Sequence, residues 1–173
     1  MTDSAHVRPY DFIRYNRYGV LRPGAGLWLA LVFLCRHIMT ILLVAMAAGR
    51  GPQGGAEGID LSDFGHLVTP VFMVADLPAL ALLLALAARL PTASALPRLV
   101  WRAGRPLLLV SVLVYSALIV RHWPAAGVAR LAAGDWLGFA GTLAVAVYAA
   151  TSPYLADLFR EFPECPVTQD PRP

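Results

Sequence analysis

Three ionisable residues, Arg36, His37 and Asp76, have the types and positions to do chemistry away from water. Arg36 and His37 lie in the middle of a 24-residue stretch, Ala25 to Ala48, that is otherwise almost wholly apolar, and Asp76 lies near the middle of the next such stretch. A guanidinium near the centre of a membrane helix costs about 2.5 to 3.5 kcal/mol, so it normally has a partner or a watery cavity. The sequence therefore predicts a buried ion pair between Arg36 and Asp76.

The depths of these two charges favour the pairing. Arg36 is the twelfth residue of its stretch and Asp76 is the tenth residue of the next one. At about 1.5 Å per residue, two antiparallel helices would bring both charges near the middle of a hydrocarbon core about 30 Å thick. We interpret the pair as a structural clamp that fixes the register of a helical hairpin. The alternatives are that Arg36 binds backbone carbonyls, that Asp76 is protonated, or that both residues line a transport path.

Long apolar helices must position these side chains. The chain has 173 residues, of which 58% are apolar and 14% are charged, too few charges to coat a soluble globule. Each apolar stretch is near the length that a membrane-spanning helix needs, and their continuous runs exclude the alternation of a barrel strand. The sequence predicts an all-α bundle of four transmembrane helices over Ala25 to Ala48, Leu67 to Ala88, Pro106 to Trp123 and Trp136 to Leu155.

The distribution of arginine predicts the orientation of this bundle. Ten arginines fall in the N-terminal segment, the central loop and the C-terminal tail, whereas three fall on the opposite side. The excess of positive charge on cytoplasmic segments places both termini in the cytoplasm. We expect residues 1–24 to form a cytoplasmic segment at the membrane surface, residues 25–162 to form the membrane domain, and residues 163–173 to be disordered.

Two weaker patterns suggest a cofactor and a helix interface. His66 and His122 fall at the predicted outer ends of their helices, where they are either ordinary interfacial histidines or ligands of a haem or parts of a quinone pocket. We predict no cofactor and no metal. A stripe of small residues with a spacing of four runs along the fourth helix and permits close packing, either within the monomer or against a partner. Its members are Gly134, Gly138, Thr142, Ala146 and Ala150.

One segment resembles a known family. The run Tyr15 to Pro23, followed by Trp28-Leu29 and by Phe33 to Arg36, resembles the opening of the YfeZ-like family of small uncharacterised bacterial inner-membrane proteins. The resemblance implies a four-span protein with a structurally important arginine at the position of Arg36. It also implies a location in the bacterial inner membrane, and it implies no activity.

Together these patterns predict an integral membrane protein that is not an enzyme. We expect an accessory or assembly subunit of a larger membrane complex, whose partners are the lipid bilayer and another membrane protein or a second copy of the chain. The alternatives are a small transporter or channel that uses Arg36 and Asp76, and a haem or quinone protein that uses His66 and His122. The net charge of +3 comes from arginines that flank apolar stretches, so we expect no binding to nucleic acid.

Overall fold

A computed structural model describes residues 10–16, 18–48, 70–122 and 133–163. The described residues are helical apart from turns and one isolated antiparallel bridge between Tyr15 and Leu21, which confirms the predicted all-α class. Seven α-helices lie in these ranges: α1 (Ala25–Leu34), α2 (Arg36–Ala48), α3 (Met73–Ala87), α4 (Ala95–Arg102), α5 (Gly104–His122), α6 (Ala133–Thr151) and α7 (Pro153–Arg160). A 3-10 turn over Pro70–Phe72 precedes α3.

Two to four segments of the described chain are long and apolar enough to cross a membrane. Two segments qualify alone, Pro70–Ala87 and Gly104–Arg121. Two more qualify only as bent pairs, with an angle of 66° between α1 and α2 and of 67° between α6 and α7. The predicted first and fourth helices are therefore each broken by a bend.

Local sequence accounts for the bend between α6 and α7. The side chain of Ser152 accepts a hydrogen bond from the backbone N–H of Leu155, and Pro153 occupies the first turn of α7. Proline has no N–H to continue the preceding helix but fits the first turn of a new one, so α6 ends and α7 begins at this point. A further short helix, α4, occupies part of the predicted central loop and joins α5 through Ala103.

The longest helices form the packed centre of the molecule. Helix α3 packs along α5, and α5 packs along α6, while α1 contacts both α3 and α6. The buried core includes Leu27, Leu31, Leu82, Leu108 and Ala149. Because the outward faces of α1, α3 and α6 expose large apolar side chains such as Leu29, Leu84 and Leu137, these helices suit contact with lipid.

The N-terminal and C-terminal segments meet at one end of this bundle. The N-terminal segment makes a tight turn in which Gly19 has a positive φ of 72° and the side chain of Asn16 accepts the backbone N–H groups of Tyr18 and Val20. Tyr10 then donates a hydrogen bond from its hydroxyl to the carboxylate of Asp157 at 2.9 Å. The segment before α1 is therefore folded against α7.

Candidate intramembrane polar site

The break between α1 and α2 creates a helix start inside the first apolar stretch. Helix α1 ends at Leu34, Cys35 leaves the helical conformation, and α2 begins at Arg36. The first N–H groups of a helix have no partner within the helix, and the helix dipole makes this end favourable for an anion. The carboxylate of Asp76, from α3, accepts one of these N–H groups, that of Ile38, at 2.9 Å.

The second oxygen of Asp76 binds the imidazole of His37. The distance from His37 Nδ1 to Asp76 Oδ1 is 2.8 Å, and both side chains are only 1% exposed. Both oxygens of the carboxylate are thus occupied, one by a ring nitrogen and one by the start of α2. Through these two bonds Asp76 connects α3 to the start of α2.

This geometry corrects the predicted ion pair between Arg36 and Asp76. In the described part of the chain, Arg36 forms no ion pair with Asp76; its Nη1 donates to the carbonyl of Phe33 at 2.9 Å. The Cζ atom of Arg36 lies 4.3 Å from the ring centre of Phe33 and 4.2 Å from that of Tyr115. Successive residues of a helix point in directions about 100° apart, so His37 faces Asp76 whereas Arg36 faces Tyr115. The contact that the structure shows is the predicted alternative in which Arg36 binds a backbone carbonyl.

Aromatic rings enclose the histidine. The ring of His37 stacks on Phe72 with 5.6 Å between ring centres, and Tyr115 lies at 5.5 Å from it. Phe72 and Tyr115 are themselves buried. Tyr115 therefore contacts both His37 and Arg36, and its ring attracts the guanidinium through its negative face.

One small residue of α6, Gly138, faces this site. A Cβ atom at Gly138 would lie 2.8 Å from the hydroxyl oxygen of Tyr115 and 3.9 Å from Nη2 of Arg36. Thr142 is buried and donates to the carbonyl of Gly138 at 2.7 Å, and Ala146 packs against the core. At these positions the stripe serves packing within the monomer, the first of the two predicted uses. Gly134 lies in α6, which begins at Ala133.

Three buried polar atoms at or near this site have no hydrogen-bond partner in the part of the chain that the structure describes. They are Nη2 of Arg36, Nε2 of His37 and Oγ of Ser111. Ser111 lies one turn before Tyr115 on α5, so the two share a face of that helix. We call Arg36, His37, Asp76, Ser111 and Tyr115 the central cluster. Buried polar groups are normally hydrogen-bonded, so these three atoms are free to bind a polar guest.

A second polar cluster lies at the end where the termini meet. Arg89 donates to the carbonyls of Leu21 and Glu161 at 2.7 and 3.0 Å, and its Cζ lies 4.5 Å from the ring centre of Trp101. Trp101 donates its indole N–H to the carbonyls of Leu158 and Glu161. The carboxylate of Glu161 accepts the backbone N–H of Leu21 at 2.7 Å. We call Leu21, Arg89, Trp101 and Glu161 the end cluster.

Burial dominates the electrostatics of the end cluster. It lowers the pKa of Arg89 to about 10, while the charge of Glu161 acts in the opposite direction. At neutral pH Arg89 is therefore still a cation that binds carbonyl groups from two distant parts of the chain. No sequence pattern singled out this residue, because one arginine among many in a predicted loop carries no distinguishing signal.

The remaining predicted site lies outside the described residues. His66 is not among them. His122 is the last residue of α5, but its side chain lies outside the described part of the structure. The prediction of a haem or quinone site at these histidines therefore stays a prediction. Within the described residues, no group of three or more potential metal ligands is present.

Comparison with known proteins gives one match. The model of a family described as "Protein of unknown function (DUF2919)" matches residues 10–161, a range that includes both clusters. No curated protein and no solved structure matches the chain. The resemblance drawn from the sequence predicted a family without an assigned activity; its YfeZ-like name stays a prediction.

Proposed function

The chain belongs to the DUF2919 family, and because the function of that family is unknown we propose from the chain's own residues that it is a non-enzymatic transporter. In this proposal it lies in the bacterial inner membrane with both termini in the cytoplasm, and it carries a small monovalent anion together with a proton. The observation that carries the proposal is the set of free buried polar atoms on Arg36, His37 and Ser111.

The chemistry of these atoms fits an anion. Nη2 of Arg36 is a charged donor and Oγ of Ser111 is a neutral donor or acceptor, and both are buried. The partner of Arg36 in the structure is a carbonyl group, so its charge is met by dipoles and by ring faces rather than by a carboxylate. A small anion beside Nη2 would neutralise that charge directly.

Charge balance then favours a proton as the second transported ion. With Asp76 ionised and His37 neutral, the charges of Arg36 and Asp76 cancel, so an added anion would leave one net negative charge in a low-dielectric site. A proton on Nε2 of His37 would cancel it, and the resulting imidazolium would face Asp76 at 2.8 Å. Cys35 and Tyr115 are the other titratable residues beside His37. Net charge is costly within a membrane, so anion and proton would bind together.

The broken first helix supports the same function. Membrane transporters often place their substrate beside discontinuous helices, where helix ends and unwound backbone supply polar groups near the middle of the bilayer. Here α1 and α2 meet at an angle of 66°, and the break at Cys35 lies immediately before Arg36 and His37. The proposed substrate would lie at this break.

The predicted accessory or assembly subunit remains the second candidate. Its support from the small-residue stripe is weaker, because Gly138 faces Tyr115 and Arg36, and Thr142 is buried. The exposed apolar faces of α1 and α6 suit a partner protein as well as lipid. Purification in a mild detergent tests this candidate, since a specific membrane partner at constant stoichiometry would favour it.

Anion-driven proton movement into vesicles tests the transport proposal. The purified chain is placed in phosphatidylcholine vesicles that contain gluconate and a pH-sensitive dye, and chloride or nitrate is added outside. We expect the interior to acidify, because an inward anion gradient draws protons with it. Arg36→Gln and His37→Gln should abolish the signal; glutamine at position 37 keeps an N–H donor for Asp76 but cannot titrate.

The matched control is Arg121→Gln, which removes an exposed arginine from the far end of α5. It should acidify at the rate of the unaltered protein. Equal rates in vesicles with and without the protein, for both anions, would refute the proposal. Unchanged transport by Arg36→Gln would refute the assigned site.

A further inference from the structure

A cationic groove lies at the same end of the bundle as the end cluster. It has a volume of about 420 Å³ and runs between the junction of α4 with α5 and the outer side of α7. Its lining combines three guanidinium groups with apolar surface: Arg102, Arg105, Arg160, Pro106, Ala156 and Phe159. Among the described residues no carboxylate lines the groove, so it presents positive charge over an apolar floor.

The three arginines differ in how free their guanidinium groups are to bind an anion. Arg105 is fixed in place, because its Nε and Nη2 donate to the carbonyls of Ala149 and Ala150 at the end of α6. Arg160 is 81% exposed and lies 3.9 Å from Asp157, a carboxylate that also accepts the hydroxyl of Tyr10. Within the described ranges, neither Arg102 nor Arg105 forms an ion pair. The groove therefore retains positive charge that an anion would neutralise.

Exposed leucines continue this surface along α4. Leu96 and Leu99 are each 68% exposed. They line a second groove of about 580 Å³ together with Ala95, Arg98 and Arg102. Arg102 lines both grooves, so the charged surface and the apolar surface are continuous. Helix α4 buries Trp101 on its opposite side, and this division of faces is typical of a helix that lies in the membrane interface.

We propose that the groove binds the phosphate of an anionic phospholipid, with an acyl chain along Leu96 and Leu99. A phosphate needs the arginines alone, whereas a phospholipid also needs the adjoining apolar face, and the structure supplies both. Basic residues at the membrane surface attract anionic lipids at about 1 kcal/mol for each charge. This site is separate from the central cluster and does not depend on the proposed transport.

Lipid binding to the purified full chain tests this inference. Phosphatidylglycerol and phosphatidylcholine are titrated into the protein in detergent, and bound lipid is counted by native mass spectrometry. We expect phosphatidylglycerol to bind more tightly. The double variant Arg102→Gln/Arg160→Gln should bind it about thirtyfold more weakly, the effect of two such charges. Both positions are exposed, so the fold should survive, as circular dichroism would verify.

The matched control is Arg22→Gln/Arg121→Gln, which removes two exposed arginines outside the groove. Its affinity for phosphatidylglycerol should equal that of the unaltered protein. A further variant, Leu96→Ser/Leu99→Ser, should weaken lipid binding while leaving the three arginines in place. Equal affinities of the groove variant and the control would overturn the site. Displacement of the lipid by millimolar inorganic phosphate would overturn the assignment to a lipid.

Discussion

Each of the two polar clusters of this protein contains an arginine in similar surroundings, but the two guanidinium groups differ in the number of hydrogen bonds that they donate. In both, the guanidinium lies over an aromatic ring and donates to a backbone carbonyl. Arg89 of the end cluster reaches two carbonyls from distant segments, and the neighbouring indole and carboxylate bind backbone as well. Arg36 of the central cluster reaches one carbonyl, from the preceding turn.

The number of unused polar atoms separates the clusters further. The end cluster leaves one buried atom without a partner, Nε of Arg89, whereas the central cluster leaves three, on Arg36, His37 and Ser111, within the described residues. Buried donors and acceptors that are all hydrogen-bonded within the protein hold the chain in one conformation. Buried donors and acceptors without a partner can still bind a ligand. The difference assigns a structural role to the end cluster and supports a binding role for the central one.

Trp101→Ala should have the largest effect on folding and a small effect on the central cluster. Trp101 is fully buried and its indole supports Arg89, Phe159 and two carbonyls. Loss of a buried tryptophan side chain costs about 4 kcal/mol. Thermal unfolding in detergent measures the loss, and Trp101→Phe, which keeps a ring, should lose much less. Protein that still folds should retain anion-driven acidification; its selective loss would contradict the division of roles.

Asp76→Ala should have the second largest effect, and it should lower the stability of the fold and abolish transport. The substitution leaves Nδ1 of His37 and the N–H of Ile38 buried without an acceptor. Breaking a buried pair on one side costs about 3 kcal/mol. The double variant His37→Ala/Asp76→Ala should lose less than the sum of the single variants, because the first change already removes their shared bond. Strict additivity in the unfolding free energies would contradict direct coupling.

The central cluster also shows what the sequence could and could not predict. Long apolar runs predicted the positions of α3, α5 and most of α6, and the isolated acid in an apolar run identified Asp76. The partner of Asp76 was predicted incorrectly because equal depth was derived from one straight first helix. The break at Cys35 carries no proline or glycine, so only the neighbouring polar pair Arg36-His37 marked it.

The short helix α4 illustrates a different limit of sequence reasoning. The predicted central loop contains Pro91 and Pro97, yet Pro97 is the third residue of α4 and lies in its first turn. Proline is tolerated there because the first N–H groups of a helix have no partner within the helix. The hydrogen bonds of the end cluster were not predicted, because they join Leu21, Arg89 and Glu161 across long separations in the chain. Such contacts follow from packing and leave no local pattern.

Gly138→Ala should have a smaller effect that is confined to the central cluster. The added methyl group would lie 2.8 Å from the hydroxyl oxygen of Tyr115, which is too close for an unstrained contact. Overpacking of this kind costs about 2 kcal/mol. The double variant Gly138→Ala/Tyr115→Phe removes the hydroxyl and should recover most of the stability in the same unfolding assay. No recovery would mean that the contact with Tyr115 does not limit this position.

Tyr10→Phe should have the smallest effect and should depend on pH. It removes one half-buried hydrogen bond to Asp157 beside the end cluster, worth about 0.5 to 1 kcal/mol. Burial raises the pKa of Tyr10 from 10.0, and the bond to Asp157 raises it further. A phenol whose pKa is higher in the folded state stabilises the fold below its unfolded pKa and loses that contribution as pH rises through the folded pKa.

Unfolding of the unaltered protein and of Tyr10→Phe should therefore differ at neutral pH, and the difference should shrink above pH 10. A difference that stays constant into strongly alkaline solution would contradict the hydrogen bond to Asp157 as its source, because a phenolate has no proton to donate.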